Sequence, residues 1–222
     1  MTELEPGPMP AQPSVHRIFL LSPANLSGVR AGYLTRKNGA SDLAQRLRST
    51  GAPLGELFSF MSGLYFRGKL AYAKAFAAPP PDVSGSFVIT SSAGLVSPDT
   101  VVTLDWLCGL SPNGVDVGEP RYRQPLDRDS RKLLAMAGPD CEVVLLGSIA
   151  TSKYVEPLTE VFGSRLLFPA EFVGRGDMSR GGLMLRCVQE RKSLTYIPVA
   201  SAVRRGSRPP KLEPMRRSKA AG

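Results

Sequence analysis

Three short, uninterrupted apolar runs constrain this chain most: Ile18-Phe19-Leu20-Leu21, Phe87-Val88-Ile89 and Val143-Val144-Leu145-Leu146. Each has the length of a strand, and the first ends at Ser22-Pro23, which cannot continue a ladder. Helical patterns lie between them. Segments near 28–36 and 42–49 read as helices, the second with Ser41 at its N-cap. Residues 54–61 and 65–76 are apolar-periodic, with Gly63 as the break between them. On the second of these, Leu64, Leu70, Ala71 and Ala75 are expected near one face, and Arg67, Lys69 and Lys74 in water. Pro79-Pro80-Pro81 ends that helix.

The second half repeats the alternation. Residues 100–110 suit a strand at Val101-Val102 or a helix from Leu104, and 111–126 read as loop because of Pro112, Gly114, Gly118, Pro120 and Pro125. Asp127 or Asp129 is expected to cap a helix running to Ala137, where its charge complements the helix dipole. A helix over 151–162, a strand at 165–168 and a strand over 194–199 complete the pattern. Strands alternating with helices predict an α/β fold, a three-layer arrangement around a mainly parallel sheet. It is expected as a single domain over 15–202, between a disordered acidic, proline-rich N-terminus (1–14) and a disordered basic tail (203–222).

Of the net charge of +9, residues 203–222 carry +6 and residues 1–14 carry −2, which leaves the body about +5. Such a tail can hold phosphates by counterion release or serve only as a solvated end. Residues 1–14 lack the basic and apolar regions of a signal peptide, and no apolar run is long enough to span a bilayer, so the expected compartment is the cytoplasm. Three cysteines, Cys108, Cys141 and Cys187, form no Cys-x-x-Cys pair, and His16 is the single histidine. That excludes zinc and disulfide frameworks and leaves little material for a catalytic triad. No phosphate-binding or dinucleotide-binding glycine motif follows a strand, so no cofactor and no metal are expected.

Ligands of open parallel sheets bind beyond the carboxyl ends of the strands. Three strand ends here open into small polar residues: Ser22 to Asn25, then Ser91, Ser92 and Gly94, then Gly147 and Ser148 with Lys153 soon after. Small side chains let a ligand approach the backbone, and serine and asparagine supply donors and acceptors for sugar hydroxyls or base edges. Helix caps also favour these residue types, which explains any one such loop. The three loops together predict a shared site. The stretch 174–182 is expected to be a flexible glycine-rich loop, with Arg175, Ser179 and Arg180 binding phosphate and Asp177 held ionised between the two guanidiniums. Its plainer reading is a surface turn. Tyr65 and Arg67 would stack a base and meet a phosphate, although such aromatics more often belong to the core.

Residues 62–76 (SGLYFRGKLAYAKAF) and 87–99 (FVITSSAGLVSPD) together resemble poorly characterised bacterial α/β domains. Those are distantly similar to the uracil-DNA-glycosylase-type fold and to domains that accompany deazaguanine base exchange. The resemblance covers about a sixth of the chain. It implies nucleobase or nucleoside handling, with Ser91, Ser92, Gly94 and Asp99 at the pocket and Tyr65 and Arg67 nearby. The chain departs from the glycosylase pattern in having neither Gly-x-Asp-Pro-Tyr nor His-Pro-Ser. The opening run IFLLSPAN also resembles the start of peroxide-stress DNA-binding proteins. The expected function is therefore nucleobase or nucleotide handling, on nucleic acid or free, with Asp177 and Asp99 as candidate catalytic carboxylates. The alternatives are a non-catalytic nucleic-acid-binding accessory and a small phosphosugar enzyme.

Overall fold

The computed structural model describes residues 15–36, 39–110 and 115–212. Its centre is a strand, β1 (Arg17–Leu21), whose last four residues are fully buried. Parallel partners flank it: β3 (Ser86–Ile89) on one side and β6 (Glu142–Leu146) on the other. β7 (Leu166–Pro169) pairs parallel beyond β6. Two short antiparallel strands close the edges, β4 (Leu95–Val96) on β3 and β8 (Tyr196–Pro198) on β7. The sheet order is β4-β3-β1-β6-β7-β8, so the fold is mixed α/β around a mostly parallel six-stranded sheet. The pairing of β1 with β6 sets Arg17 against Glu142, and their side chains form an ion pair at 2.7 Å. A separate two-stranded ribbon joins β2 (Ala52–Pro53) to β5 (Val101–Val102).

Between β1 and β3 run α1 (Val29–Thr35), α2 (Asp42–Ser49), α3 (Leu54–Ser62) and α4 (Leu64–Phe76). Ser41 caps α2 by accepting from Ala44 N, as its position predicts. The 100–110 stretch resolves into both alternatives, β5 followed by α5 (Leu104–Gly109) with Thr103 as its cap. α6 (Pro120–Ala137) precedes β6, α7 (Ser152–Phe162) precedes β7, and α8 (Asp177–Glu190) precedes β8. Among the described residues no helix is long and apolar enough to cross a membrane. The acidic terminus at 1–14, and the tail beyond residue 212, lie outside the described residues. Residues 203–212 contain no helix or strand; the Ser207 carbonyl lies against Gly174 and Leu212 against Gly182.

Three expectations need correction. The helix before β6 begins at Pro120, not near Asp127, and Glu119 caps it by accepting from Arg121 N. Pro120 starts a helix readily because the first-turn N–H it lacks has no intrahelical partner anyway. Asp127 instead pairs with Arg123, and Asp129 accepts from Leu95 N to fix the start of β4. On α4 the buried face is Tyr65, Phe66, Gly68, Lys69, Tyr72 and Ala73, and Lys69 is fully buried. The glycine-rich stretch is loop only from Gly174 to Gly176, since Asp177 to Gly182 form the first turns of α8.

Candidate functional site

The strand order places the ends of β3, β1 and β6 side by side. The segments that follow them meet around a cavity of about 250 Å³. After β1 come Pro23 to Ser27, after β3 comes Ser91, and after β6 come Lys153 and Tyr154 from the first turn of α7. Phe58, Leu110 and Val115 supply the apolar wall. Asn25 Oδ1 accepts from Ser27 N at 2.9 Å, which shapes the loop and leaves the amide NH₂ as the donor this side chain can offer a ligand. Lys153 holds its ammonium over the Tyr154 ring, 5.1 Å from the centroid, while its carbonyl accepts from the Tyr122 hydroxyl at 2.7 Å. Tyr154 is buried, and burial raises its pKa, with Tyr65 and the Asp177 carboxylate adding to the rise.

Beneath the cavity lies a buried polar cluster at the β1–β6 junction, where the chain's crossovers diverge to opposite sides of β1. Gly147 packs on Ser22 so closely that a Cβ there would lie 3.1 Å from Ser22 Cβ. Lys69 Nζ donates to the Ser22 carbonyl at 2.5 Å and to Ser22 Oγ at 2.9 Å. The same ammonium sits over the rings of Tyr65 (4.3 Å) and Phe66 (5.0 Å). Burial lowers the Lys69 pKa to about 7; the Asp177 carboxylate opposes that shift and the Arg180 guanidinium adds to it. Arg180 donates to the Phe172 carbonyl and, at 3.4 Å, to that of Gly147. Burial also raises the Tyr65 pKa, and its hydroxyl lies beside Ser22 and Arg180 without a hydrogen bond of ordinary geometry. A buried lysine and two buried tyrosines with shifted protonation, set near a carboxylate, are the usual marks of a working site.

The remaining candidates lie elsewhere. Asp99 is exposed and pairs with Lys74 at 3.5 Å, so it joins neither cavity nor cluster. Gly94, at φ +70°, makes the β3–β4 turn: its carbonyl accepts from Thr90, and it packs against Pro125 and Asp129 of α6, away from the cavity. Ser92 faces a shallow groove with Arg121 and Arg128. Ser148 caps its own turn by accepting from Ala150 N. Arg67 is exposed in a surface groove with Arg30. Arg175 does not converge with the cavity; it donates to the Glu171 carbonyl and to Ser179 Oγ. Among the described residues no group of His, Cys, Asp and Glu could hold a metal ion.

No sequence motif marks Phe58 or Tyr154, and the helical pattern predicts Lys69 in water. Lys69 had a readable signal: Tyr65, Phe66, Tyr72 and Ala73 bracket it at helical spacing, which places position 69 at the centre of that face. Comparison of the chain with family models, with curated proteins and with solved structures gives no match.

Proposed function

We propose that this chain handles a nucleobase or nucleotide in the hollow at the carboxyl ends of β1, β3 and β6. One observation carries the reading: segments from three separate strand ends line a single cavity. At about 250 Å³ it lies just below the ~300–1,000 Å³ of drug-sized pockets, which suits one flat ring. Phe58 and Tyr154 form a buried aromatic wall, Asn25 and Ser27 offer hydrogen-bonding groups for ring edges, and Lys153 offers charge for a phosphate. The short resemblance noted in the sequence implies the same ligand class. In this reading the helices cover both faces of the sheet as three layers. Right-handed crossovers in opposite directions from β1 set α4 on one face and α6 and α7 on the other.

For chemistry at a nucleobase or its glycosidic bond, Asp177 is the carboxylate with a role. Its charge acts on Lys69, Tyr65 and Tyr154, and it would stabilise positive charge developing on a sugar. A binding role without catalysis has its own support, because no carboxylate is among the described residues lining the cavity. Calorimetric titration with nucleobases, nucleosides and nucleoside monophosphates tests the shared part. A monophosphate is expected to bind, and Asn25→Leu and Lys153→Met are each expected to weaken it about tenfold, ~1.4 kcal/mol. No binding across the panel, or full affinity in both variants, overturns the proposal. Release of free base by wild type and its loss in Asp177→Asn would assign catalysis; absence of release with binding intact would assign the accessory role.

A further inference from the structure

Two surface grooves meet over the starts of α4 and α8. The larger, about 1110 Å³, holds Arg30, Tyr33 and Arg67; the smaller, about 510 Å³, holds Arg175, Arg208 and Lys211. Leu64 and Met178 line both, so the two form one trough. Its charge is one-sided. The acids lining it are Asp42 and Glu56, and both are bound to Arg46. Among the described residues no carboxylate comes within 4.0 Å of Arg30, Arg67, Arg175, Arg208 or Lys211. Arg175 is held in place by the Glu171 and Pro210 carbonyls and Ser179, none of which neutralises it. Like charges gathered along a groove repel one another and create a field that favours a polyanion.

The trough also exposes apolar surface between the cations. Met178 is 66% exposed and Tyr33 50% exposed, and both line it. We infer that the trough holds a single-stranded nucleic acid, its phosphates toward Arg30, Arg67 and Arg175 and its bases against Tyr33 and Met178. A duplex keeps its base faces hidden and would leave those two side chains unused, while an acidic peptide has no flat ring at every unit. The proposal deepens the nucleotide reading and rests on it for the ligand class, naming a polymer as the partner. The two sites adjoin through one stretch of chain, since Asn25 to Ser27 line the cavity and Arg30 lines the trough.

The test is fluorescence anisotropy with a labelled oligothymidylate of about fifteen nucleotides, which spans one to several base-stacking site sizes. One phosphate at each of Arg30, Arg67, Arg175, Arg208 and Lys211 gives log K against log salt a slope of about −3.5, about −0.7 for each contact on a single strand. Arg30→Ala and Arg67→Ala are each expected to reduce that slope by ~0.7 with the fold intact by circular dichroism. Tyr33→Ala is expected to weaken binding about fivefold or more. Unchanged slopes in both arginine variants overturn the proposal. So does tighter binding of the matching duplex, or equal competition by polyglutamate. Binding of a free nucleoside monophosphate should not change in Arg67→Ala, and oligonucleotide binding at the trough should survive Asn25→Leu. Failure of the trough and failure of the cavity are thus read separately.

Discussion

A lysine ammonium withdrawn from water costs several kcal/mol unless its charge is met, and among the described residues Lys69 meets no carboxylate within 4.0 Å. What it has are two oxygens of Ser22 and two aromatic faces. The consequence is a pH dependence whose sign can be worked out. With a folded pKa of about 7 against an ordinary 10.5, the unfolded chain binds more protons at this residue throughout that interval. Stability from Lys69 therefore rises with pH between about 7 and 10.5, by up to ~1.4 kcal/mol per unit, and is flat below and above. Lys69→Met removes that slope. It also leaves the Ser22 carbonyl and hydroxyl without their donor, a loss of ~1–3 kcal/mol. Urea unfolding at pH 6.5 and 9.5 checks the point. The variant should lose ~2–3 kcal/mol relative to wild type between the two, whatever the tyrosines and cysteines contribute to both. An unchanged difference would mean that Lys69 stays charged across the range.

The crossing of α4 with α8 brings that lysine to the sheet, and two glycines make the crossing possible. A Cβ on Gly68 would lie 2.7 Å from the Gly181 carbonyl oxygen, and a Cβ on Gly181 would lie 2.8 Å from that of Leu64. Both obstacles are backbone, which a rotamer change cannot relieve. Gly181→Ala is thus expected to destabilise by ~1–3 kcal/mol, as overpacked contacts do. Its neighbour is the control: Gly182 has only Leu212 at 3.8 Å, so Gly182→Ala should gain up to ~1 kcal/mol of helix propensity. Melting temperatures of the two variants, shifted in opposite directions, would establish the contact. This crossing is also where the sequence was hardest to read. β1 and β6 are legible because continuous apolar runs need no partner to be recognised. The stretch 174–182 looks like a loop because glycine is a weak helix former, and only its packing partner on α4 shows why α8 carries Gly181. For the same reason a polar side chain at position 69 looks solvated until α8 and the sheet close over it.

At the scale of the whole molecule, one sequence cannot reveal which strands are neighbours, and the site depends on that. The polar ends of β1, β3 and β6 were legible as three loops; their convergence on one cavity follows from the order β3-β1-β6. The stretch 174–182 was expected in the same hollow, but the loop before α8 and the helix's first turn carry Arg175 and Ser179 to the trough, and Arg180 returns to the sheet edge. Charge is distributed in a similarly unexpected way. Counted along the sequence, most of the excess lies in 203–222, yet Arg208 and Lys211 line the trough of the folded body beside Arg175. Two truncations separate these contributions to nucleic-acid binding. Removing 213–222 takes away Arg216, Arg217 and Lys219, which lie outside the described residues, together with Glu213. Removing 206–222 takes Arg208 and Lys211 as well, and the salt slope for single-stranded DNA should shrink by a further ~1.4, about 0.7 for each placed cation. Arg30, Arg67 and Arg175 remain in the shorter protein, so measurable salt-dependent binding should persist. Equal slopes from the two truncations would place Arg208 and Lys211 off the binding path and confine the trough to the body.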